Sequence, residues 1–518
     1  MSLAFLLSSG HGPLNIIVNF PLFSIILAFI GVVTCSLVNR KVARIVTISI
    51  EATVAILNFI LVFYMHGYEG GYIDFAMGHF GAPIGNAIRI GSLEAFLTSI
   101  FSIVMIASIL GGDKHLRRDI PEAKINYFYV LFNLVLVALT ALIYTNDIFT
   151  GFVFLEIATL ASVGLTMIRD QGRSTIAAIR YMIFNLMGSG LFLIGITLLY
   201  DWTGYLSMGW MTESGEVVML ADKVSAVLAG GKSTPLVFIT FTLITVGLSI
   251  KAGLFPFHFW MPDTYGSSTT ASKGVLSGLI SKGYIILLIK MIYRCFGIEN
   301  VISSGLTTVL FVLGVSGMII GSYNAIRQNN INKMIAFSSA AQIGYIFMGI
   351  GLGTNLGLMA AFFHIIVHAV TKPLLFISGS RLEDASKSRE FSDLKGAGYR
   401  DRIAGLAFSI GSLSMVGFPV TAGFISKICF ASSAFESNTL MMYVTLFALV
   451  ISTVLNAIYF IHTMVTIYSK NEENYEYKTT RDIPFVFSNI LLVSVNILLG
   501  VIPTVVLHVL THGISNFF

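Results

Sequence analysis

Charge is what this sequence has least of. Only 11% of its 518 residues are Asp, Glu, Lys or Arg, against about 25% in soluble domains. That shortage excludes an ordinary soluble protein, as does a mean hydropathy of +0.85. Cysteine is nearly absent. Cys35, Cys295 and Cys429 stand far apart in apolar surroundings, which excludes a disulfide framework and an iron–sulfur spacing. No glycine-rich phosphate loop follows a strand pattern, so this chain is expected to hold no nucleotide, redox cofactor or metal of its own. The net charge is only +5, and no nucleic-acid partner is expected. Short alternating segments are missing, which excludes a membrane barrel. The first Lys or Arg is Arg40, so the cationic start of a cleavable signal peptide is also lacking.

What remains is a series of apolar runs mostly long enough for helices to cross a hydrocarbon core about 30 Å thick. Fourteen spans are expected, at 14–38, 45–65, 88–111, 125–145, 147–168, 176–200, 235–259, 271–294, 302–322, 331–352, 355–380, 402–430, 440–468 and 483–511. The odd-numbered loops carry the cations: Arg40, Lys41 and Arg44; Lys114, Arg117, Arg118 and Lys124; Arg169 and Arg173; Arg327 and Lys333; Arg381 to Arg402; and Lys470, Lys478 and Arg481. The even-numbered loops have little beyond Lys223 and Lys232, which share a loop with Asp201, Glu213, Glu216 and Asp222. The positive-inside rule then puts both termini outside a cytoplasmic membrane. The longest loop, 201–234, is expected to hold a short amphipathic piece. No soluble domain is set apart, and residues 1–518 read as a single membrane domain.

Two spans are interrupted. "SIKAGLFPFHFWMPD" brings Lys251, Gly253, Pro256 and His258 together, and "MVGFPVTAGFISKICF" carries Gly417, Pro419, Gly423 and Lys427. As one straight helix, span 402–430 would cover about 43 Å, so it must tilt or break, and Pro419 is the natural place. Two broken helices five spans apart point to an internal repeat with ion sites near the bilayer midplane.

Ionisable residues inside spans are functional hypotheses by default. Glu156 lies mid-span; a structural ion pair or a protonated, hydrogen-bonded carboxyl is the bland alternative. Lys251 would snorkel only under strain, and Lys282 has apolar turns on both sides. Lys290 and Arg294 are at a span end, where snorkelling is the better account, and Lys273 is balanced between the two. Arg180 and Glu51 read as anchors or partners. His364, His368 and Lys372 recur every four residues, a stripe on one helix face. This suits a proton relay; the HxxxH spacing also suits zinc, but no third ligand lies nearby.

At these residues the sequence resembles the antiporter-like proton-conducting subunits of respiratory complex I, Mrp-type sodium/proton antiporters and membrane-bound energy-converting hydrogenases. The stretches that carry the resemblance are "KAGLFPFHFWMPDTYGSSTTASKGVLSGLISKGY", "NNINKMIAFSSAAQIGYIFMGIGLG" and "FFHIIVHAVTKPLLFISGS". The fold it implies is all-α and polytopic: fourteen transmembrane helices, two inverted five-helix repeats, and broken helices 7 and 12. On this chain that means three N-terminal helices over 12–122, a first repeat over 123–295, a second over 300–470, and a last helix over 480–518. By resemblance Glu156, Lys251, Lys282, His364, His368, Lys372 and Lys427 are the translocation residues. Lys333, Arg180, Lys273 and His258 support them, and Pro256 and Pro419 mark the breaks. The chain departs from the pattern at Tyr265, where His is common, in "SSTTASK", and at Lys273, where a small residue is usual.

The expected function is translocation of protons, with sodium open, by one subunit of a larger membrane complex. Asp147, Thr150, Thr159 and Ser162 are the candidate sodium ligands. The expected partners are other membrane subunits, homologous antiporter-like ones among them, and lipid. The motif variants lean toward a hydrogenase- or Mrp-type assembly; the alternatives are a complex I-type quinone reductase and, further off, a stand-alone transporter. The chain itself is expected to hold no redox centre.

Overall fold

A computed structural model describes residues 15–68, 70–77, 86–211, 217–230, 234–469 and 482–515. Lys232, Lys470, Lys478, Arg481, Glu213 and Glu216 lie outside the described residues, as do residues 12–14, where the bundle was expected to begin. The chain is an all-α, multi-pass membrane protein. Thirteen helices among the described residues are long and apolar enough to cross a membrane. Two shorter apolar helices, Arg402–Val416 and Ala422–Ala434, fall where the interrupted twelfth span was expected.

Polar caps start many of the helices. Asn39 accepts from Val42 N at 3.1 Å, Asp147 from Thr150 N at 2.6 Å and Thr354 from Gly357 N at 3.0 Å. Each satisfies an amide that the first helical turn leaves free. Several helices outrun the apolar limits, as in Gly172–Thr203 and Arg40–His66. Their extra turns carry polar residues that end in the interface.

The helices are not equivalent. The apolar windows of Thr270–Phe296 and Asn355–Ser386 are 100% buried, and that of Ile331–Gly351 94%; those of Phe20–Leu37 and Ile483–Val501 are 33% buried. The three central helices therefore meet protein on all sides, while outer ones show an apolar face to their surroundings. Those three helices carry Lys282, His364, His368 and Lys372.

Both interruptions begin at a glycine rather than at the proline. Thr234–Ala252 stops before Gly253, with φ +78°, and the chain resumes through a 3₁₀ turn, Phe257–Trp260, and the short helix Met261–Ser267. Arg402–Val416 stops before Gly417, φ +89°, and resumes at Ala422. Only glycine takes that left-handed conformation without a steric cost, and it ends a helix in doing so. Pro256 and Pro419 lie within the gaps.

Short strands were not anticipated. β1 (Tyr72–Ala76) pairs antiparallel with β2 (Ala87–Gly91), with Asp74 opposite Arg89. Arg89 donates twice to Asp74, both at 2.8 Å, a bidentate cross-strand pair. In the long loop β3 (Gly209–Met211) pairs with β4 (Val217–Met219), and a helix, Leu220–Ala229, follows.

Candidate ion-translocation site

Lys251 sits in the last turn of its half-helix, where a cation suits the helix dipole. Its ammonium donates to Glu156 Oε1 and to Thr159 Oγ1, both at 2.9 Å. Glu156 also accepts from Ser189 Oγ, and Thr159 Oγ1 lies 3.1 Å from the Tyr284 hydroxyl. The lysine side chain is fully buried and the glutamate's is 22% exposed. The pair is thus closed on the lysine side and open on the glutamate side. Close packing makes it reachable: a Cβ on Gly188 would stand 2.7 Å from Gly247 O, so the neighbouring helices touch backbone to backbone.

Lys282 is wholly buried and follows a π-helical turn, Leu276–Ile280. Such turns leave carbonyls off the regular ladder. The lysine donates to one of them, Ser277 O, and to Ser281 Oγ at 3.2 Å. Ser277 Oγ lies 2.9 Å from Ser339 Oγ on the adjacent helix Ile331–Gly351. The neighbouring residue on that helix, Ser338, accepts from Lys372, whose ammonium also reaches Ile335 O at 3.3 Å. Ile335 O also accepts from Ser339 Oγ at 3.0 Å, so Lys282 and Lys372 are linked through Ser277, Ser339 and this carbonyl.

His368 is wholly buried, one helical turn from Lys372. Its ring is 6.4 Å from that of His364, which lies 5.3 Å from Tyr345, stacked. His364 Nδ1 is 2.7 Å from Ser426 Oγ, beside Lys427. The Lys427 ammonium lies 6.0 Å over the Tyr345 ring. It donates to Thr453 Oγ1 at 2.8 Å and, across the helix gap, to Val416 O at 2.5 Å. The expected stripe on one helix face is present, and it is flanked by Lys282 on one side and Lys427 on the other.

The supporting residues divide. Arg180 and Lys333 meet at Asp263, at 2.6 and 3.8 Å, in an exposed group at one membrane face. Lys273 is buried and donates to Asn332 Oδ1 at 3.0 Å; Asn332 in turn donates to Glu383. His258 is buried on the 3₁₀ turn among Phe255, Phe259 and Phe337 and is not hydrogen-bonded into the row. Tyr265 is buried, its hydroxyl 3.4 Å from Leu276 O at the π turn.

Three expectations need correcting. Lys290 and Arg294 do not snorkel; both are fully buried. Lys290 donates to the carbonyls of Leu142, Ile143 and Thr145 at the end of the helix Ile125–Tyr144, and Arg294 pairs with Glu94 at 2.9 Å. Distance along one span could not reveal partners supplied by others. Glu51 neither anchors at a surface nor pairs: it is buried with neither oxygen hydrogen-bonded. The candidate sodium ligands do not gather. Asp147 caps its helix through Thr150 N, while Thr159, about 18 Å further along the same helix, serves Lys251.

The residues that complete the site and were not anticipated are mostly neutral: Ser189, Tyr284, Ser277, Ser338, Ser339, Ser426, Tyr345 and Thr453, with Asp263, Asn332 and Glu383 at the entrance. Asp263, Ser277, Tyr284, Asn332, Ser338, Ser339, Tyr345 and Ser426 lie within the quoted stretches without being singled out there; Ser189, Glu383 and Thr453 lie outside them.

A family model described as "NADH:quinone oxidoreductase/Mrp antiporter, TM" matches residues 145–455, the stretch that holds every translocation residue above. The chain belongs to this antiporter family. A family relative, NADH-quinone oxidoreductase subunit N of Desulforudis audaxviator, is 30% identical over 402 residues, covering 78% of this chain and 76% of that one. A Na(+)/H(+) antiporter subunit of Alkalihalophilus pseudofirmus is 24% identical over 369 residues, 71% of each chain. Among solved structures, a chain of the archaeal membrane-bound sulfane sulfur reductase, a respiratory membrane complex, superposes with a TM-score of 0.84 at 25% identity, over 97% of both chains.

Proposed function

We propose that the chain is an ion-translocating, antiporter-like subunit of a multisubunit membrane complex, and that protons move along the row from Glu156 to Lys427. They enter from the face that carries the loop cations, by way of Lys273 and Lys282. They pass laterally by His368, Lys372 and His364 and leave toward the opposite face beside Lys427. Glu156 tunes Lys251, and a neighbouring subunit drives the row by shifting charge near the exposed side of Glu156. Burial disfavours an ammonium and a nearby carboxylate favours it, so a carboxylate whose surroundings change alters where protons rest.

The observation that carries this reading is the join between Lys282 and Lys372. Lys282 reaches the backbone of Ser277, the Ser277 hydroxyl lies 2.9 Å from Ser339 Oγ, and Ser339 and Lys372 both donate to Ile335 O, all within the three most buried of the long helices. The chemistry around them supports it. Both ring nitrogens of His368, Nε2 of His364, the Tyr345 hydroxyl and Ser452 Oγ are buried without a protein partner. Buried polar atoms of this kind are satisfied by water, and water is what carries a proton between side chains too far apart to touch.

The same reading includes the fourteen crossings, with Arg402–Val416 and Ala422–Ala434 counted as one interrupted crossing, and the two inverted repeats over 123–295 and 300–470. It includes a cytoplasmic membrane with both termini outside. Among assemblies, the motif variants favour a hydrogenase- or Mrp-type complex, and the likeness to the Na(+)/H(+) antiporter subunit supports the Mrp type. A complex I-type quinone reductase is the second reading, supported by the identity to the NADH-quinone oxidoreductase relative. Purifying the native complex and finding which redox centre, if any, accompanies it separates the two. Lys251→Ala and Glu156→Ala in the assembled complex test the translocation itself. Loss of ion pumping into inverted vesicles is expected; a complex that assembles and pumps at full rate overturns the reading.

A further inference from the structure

A cavity of about 780 Å³ opens at the membrane face where Arg180, Lys333 and Asp263 meet. Six cations line it: Arg169, Arg173, Arg180, Lys333, Lys387 and Arg389. Asp263 and Glu390 share the wall, and Asp119 and Glu383 pair with Arg169 and Arg389 from behind it, which leaves an excess of two positive charges. Such an excess in a concave site concentrates anions.

One of the six is built in. Arg169 is only 8% exposed. Its guanidinium reaches Asp119 at 3.3 Å and Ser267 O at 3.2 Å, but its Nε is buried without a partner. Burial holds this guanidinium below its ordinary range, and Arg389 and Arg118 press the same way. A buried donor left over in a positively charged cavity calls for an acceptor that carries negative charge.

The wall beside Arg180 indicates what that acceptor is attached to. Ile176 lines the cavity, and from it an exposed apolar stripe runs along the helix through Ile179, Ile183, Met187 and Ile194. The spacing keeps these side chains on one face, over about 27 Å, close to the thickness of a hydrocarbon core. A basic head site at the membrane face, continuous with an apolar wall of that length, has the shape of an amphiphile.

We propose that this cavity binds the phosphate of an anionic phospholipid, with Arg169 as the inner donor and the acyl chains lying along the Ile176–Ile194 face. The assignment stands on charge and shape; the cavity shares Arg180, Lys333 and Asp263 with the entrance of the proton row, and its test reads lipid binding rather than ion movement.

The test uses the chain in its purified native complex, delipidated and placed in nanodiscs of phosphatidylcholine alone or with phosphatidylglycerol. Hydrogen exchange is followed over residues 169–180 and 387–390. Phosphatidylglycerol is expected to slow exchange there several-fold, and phosphatidylcholine is not. R173Q/K387Q, at exposed positions of the wall, is expected to lose most of that protection with the thermal unfolding midpoint unchanged. Equal protection by both lipids overturns the proposal. So does protection by inorganic phosphate alone at matched concentration, which makes the site one for free anions. Protection by an acidic peptide without phosphatidylglycerol overturns it in favour of a segment of a neighbouring subunit.

Discussion

Lys251 and Lys427 each stand beside a helix interrupted at a glycine, yet they are held by different chemistry. Lys251 has a carboxylate 2.9 Å away. Lys427 has a hydroxyl and a backbone carbonyl. The order of lysine and gap along the chain explains the difference. Side chains on a helix lean toward its N-terminus. Lys251 precedes its gap and leans back along intact helix, toward Glu156 and Thr159. Lys427 follows its gap and leans back across it, onto Val416 O, one of the carbonyls that the interruption leaves free. Two motifs that look alike in the sequence thus build one charge-compensated lysine and one held by dipoles alone.

Five substitutions and one conservative control break or sharpen that contrast. The strongest acts on the gap itself. Gly423→Ala puts a Cβ 1.7 Å from Ser414 O, a backbone atom that cannot step aside. Gly253→Ala meets the flexible Met261 side chain at 2.8 Å and a φ of +78°, a cost of about 1–2 kcal/mol. Gly423→Ala is expected to prevent assembly and Gly253→Ala only to lower the thermal midpoint, as read by native gels and thermal unfolding; equal effects would mean the two gaps are equally tight. Next, Glu156→Gln keeps the shape and removes the charge. Ion translocation is expected to fall about tenfold or more, the equivalent of one charge-assisted hydrogen bond of ~1.5–3 kcal/mol. Thr453→Val, which strips Lys427 of a neutral partner, is expected to cost about three-fold by the smaller worth of such a bond. Equal losses in the two variants would erase the distinction between the lysines. Smallest, Ser339→Ala interrupts the hydroxyl contact between the halves. A slowing of about two-fold, within the range of one neutral hydrogen bond, is expected in the same vesicle assay, and none in Ser339→Thr.

The charged part of the site was legible because lipid makes charge rare. Glu156, Lys251, Lys282, the His364–Lys372 stripe and Lys427 stand out against apolar runs; the structure pairs Glu156 with Lys251 and buries Lys282 and the stripe. The hydroxyls that join them did not stand out. Serine and threonine are tolerated anywhere in a membrane helix, where they return their hydrogen bond to their own backbone, as Thr159 does to Leu155 O. Nothing in the spacing of Ser277 and Ser339 announces that they meet. Lys290 and Arg294 were misjudged for a related reason, since Glu94 and the Leu142–Thr145 carbonyls come from other helices. Helix existence was readable from apolar length, but the hairpins were not: strands of three to five residues between long helices carry too little pattern, and Arg89 facing Asp74 is a matter of register.

The burial of the central helices has an electrical consequence. The apolar windows of the Thr270–Phe296 and Asn355–Ser386 helices are wholly buried within a jacket of outer helices. A conductor sheathed this way loses little signal sideways. Within it a displaced charge is felt far along its length, since the surrounding medium polarises weakly. On the proposed reading the molecule is an insulated cable, with its terminals at the exposed flank of Glu156 and beside Lys427.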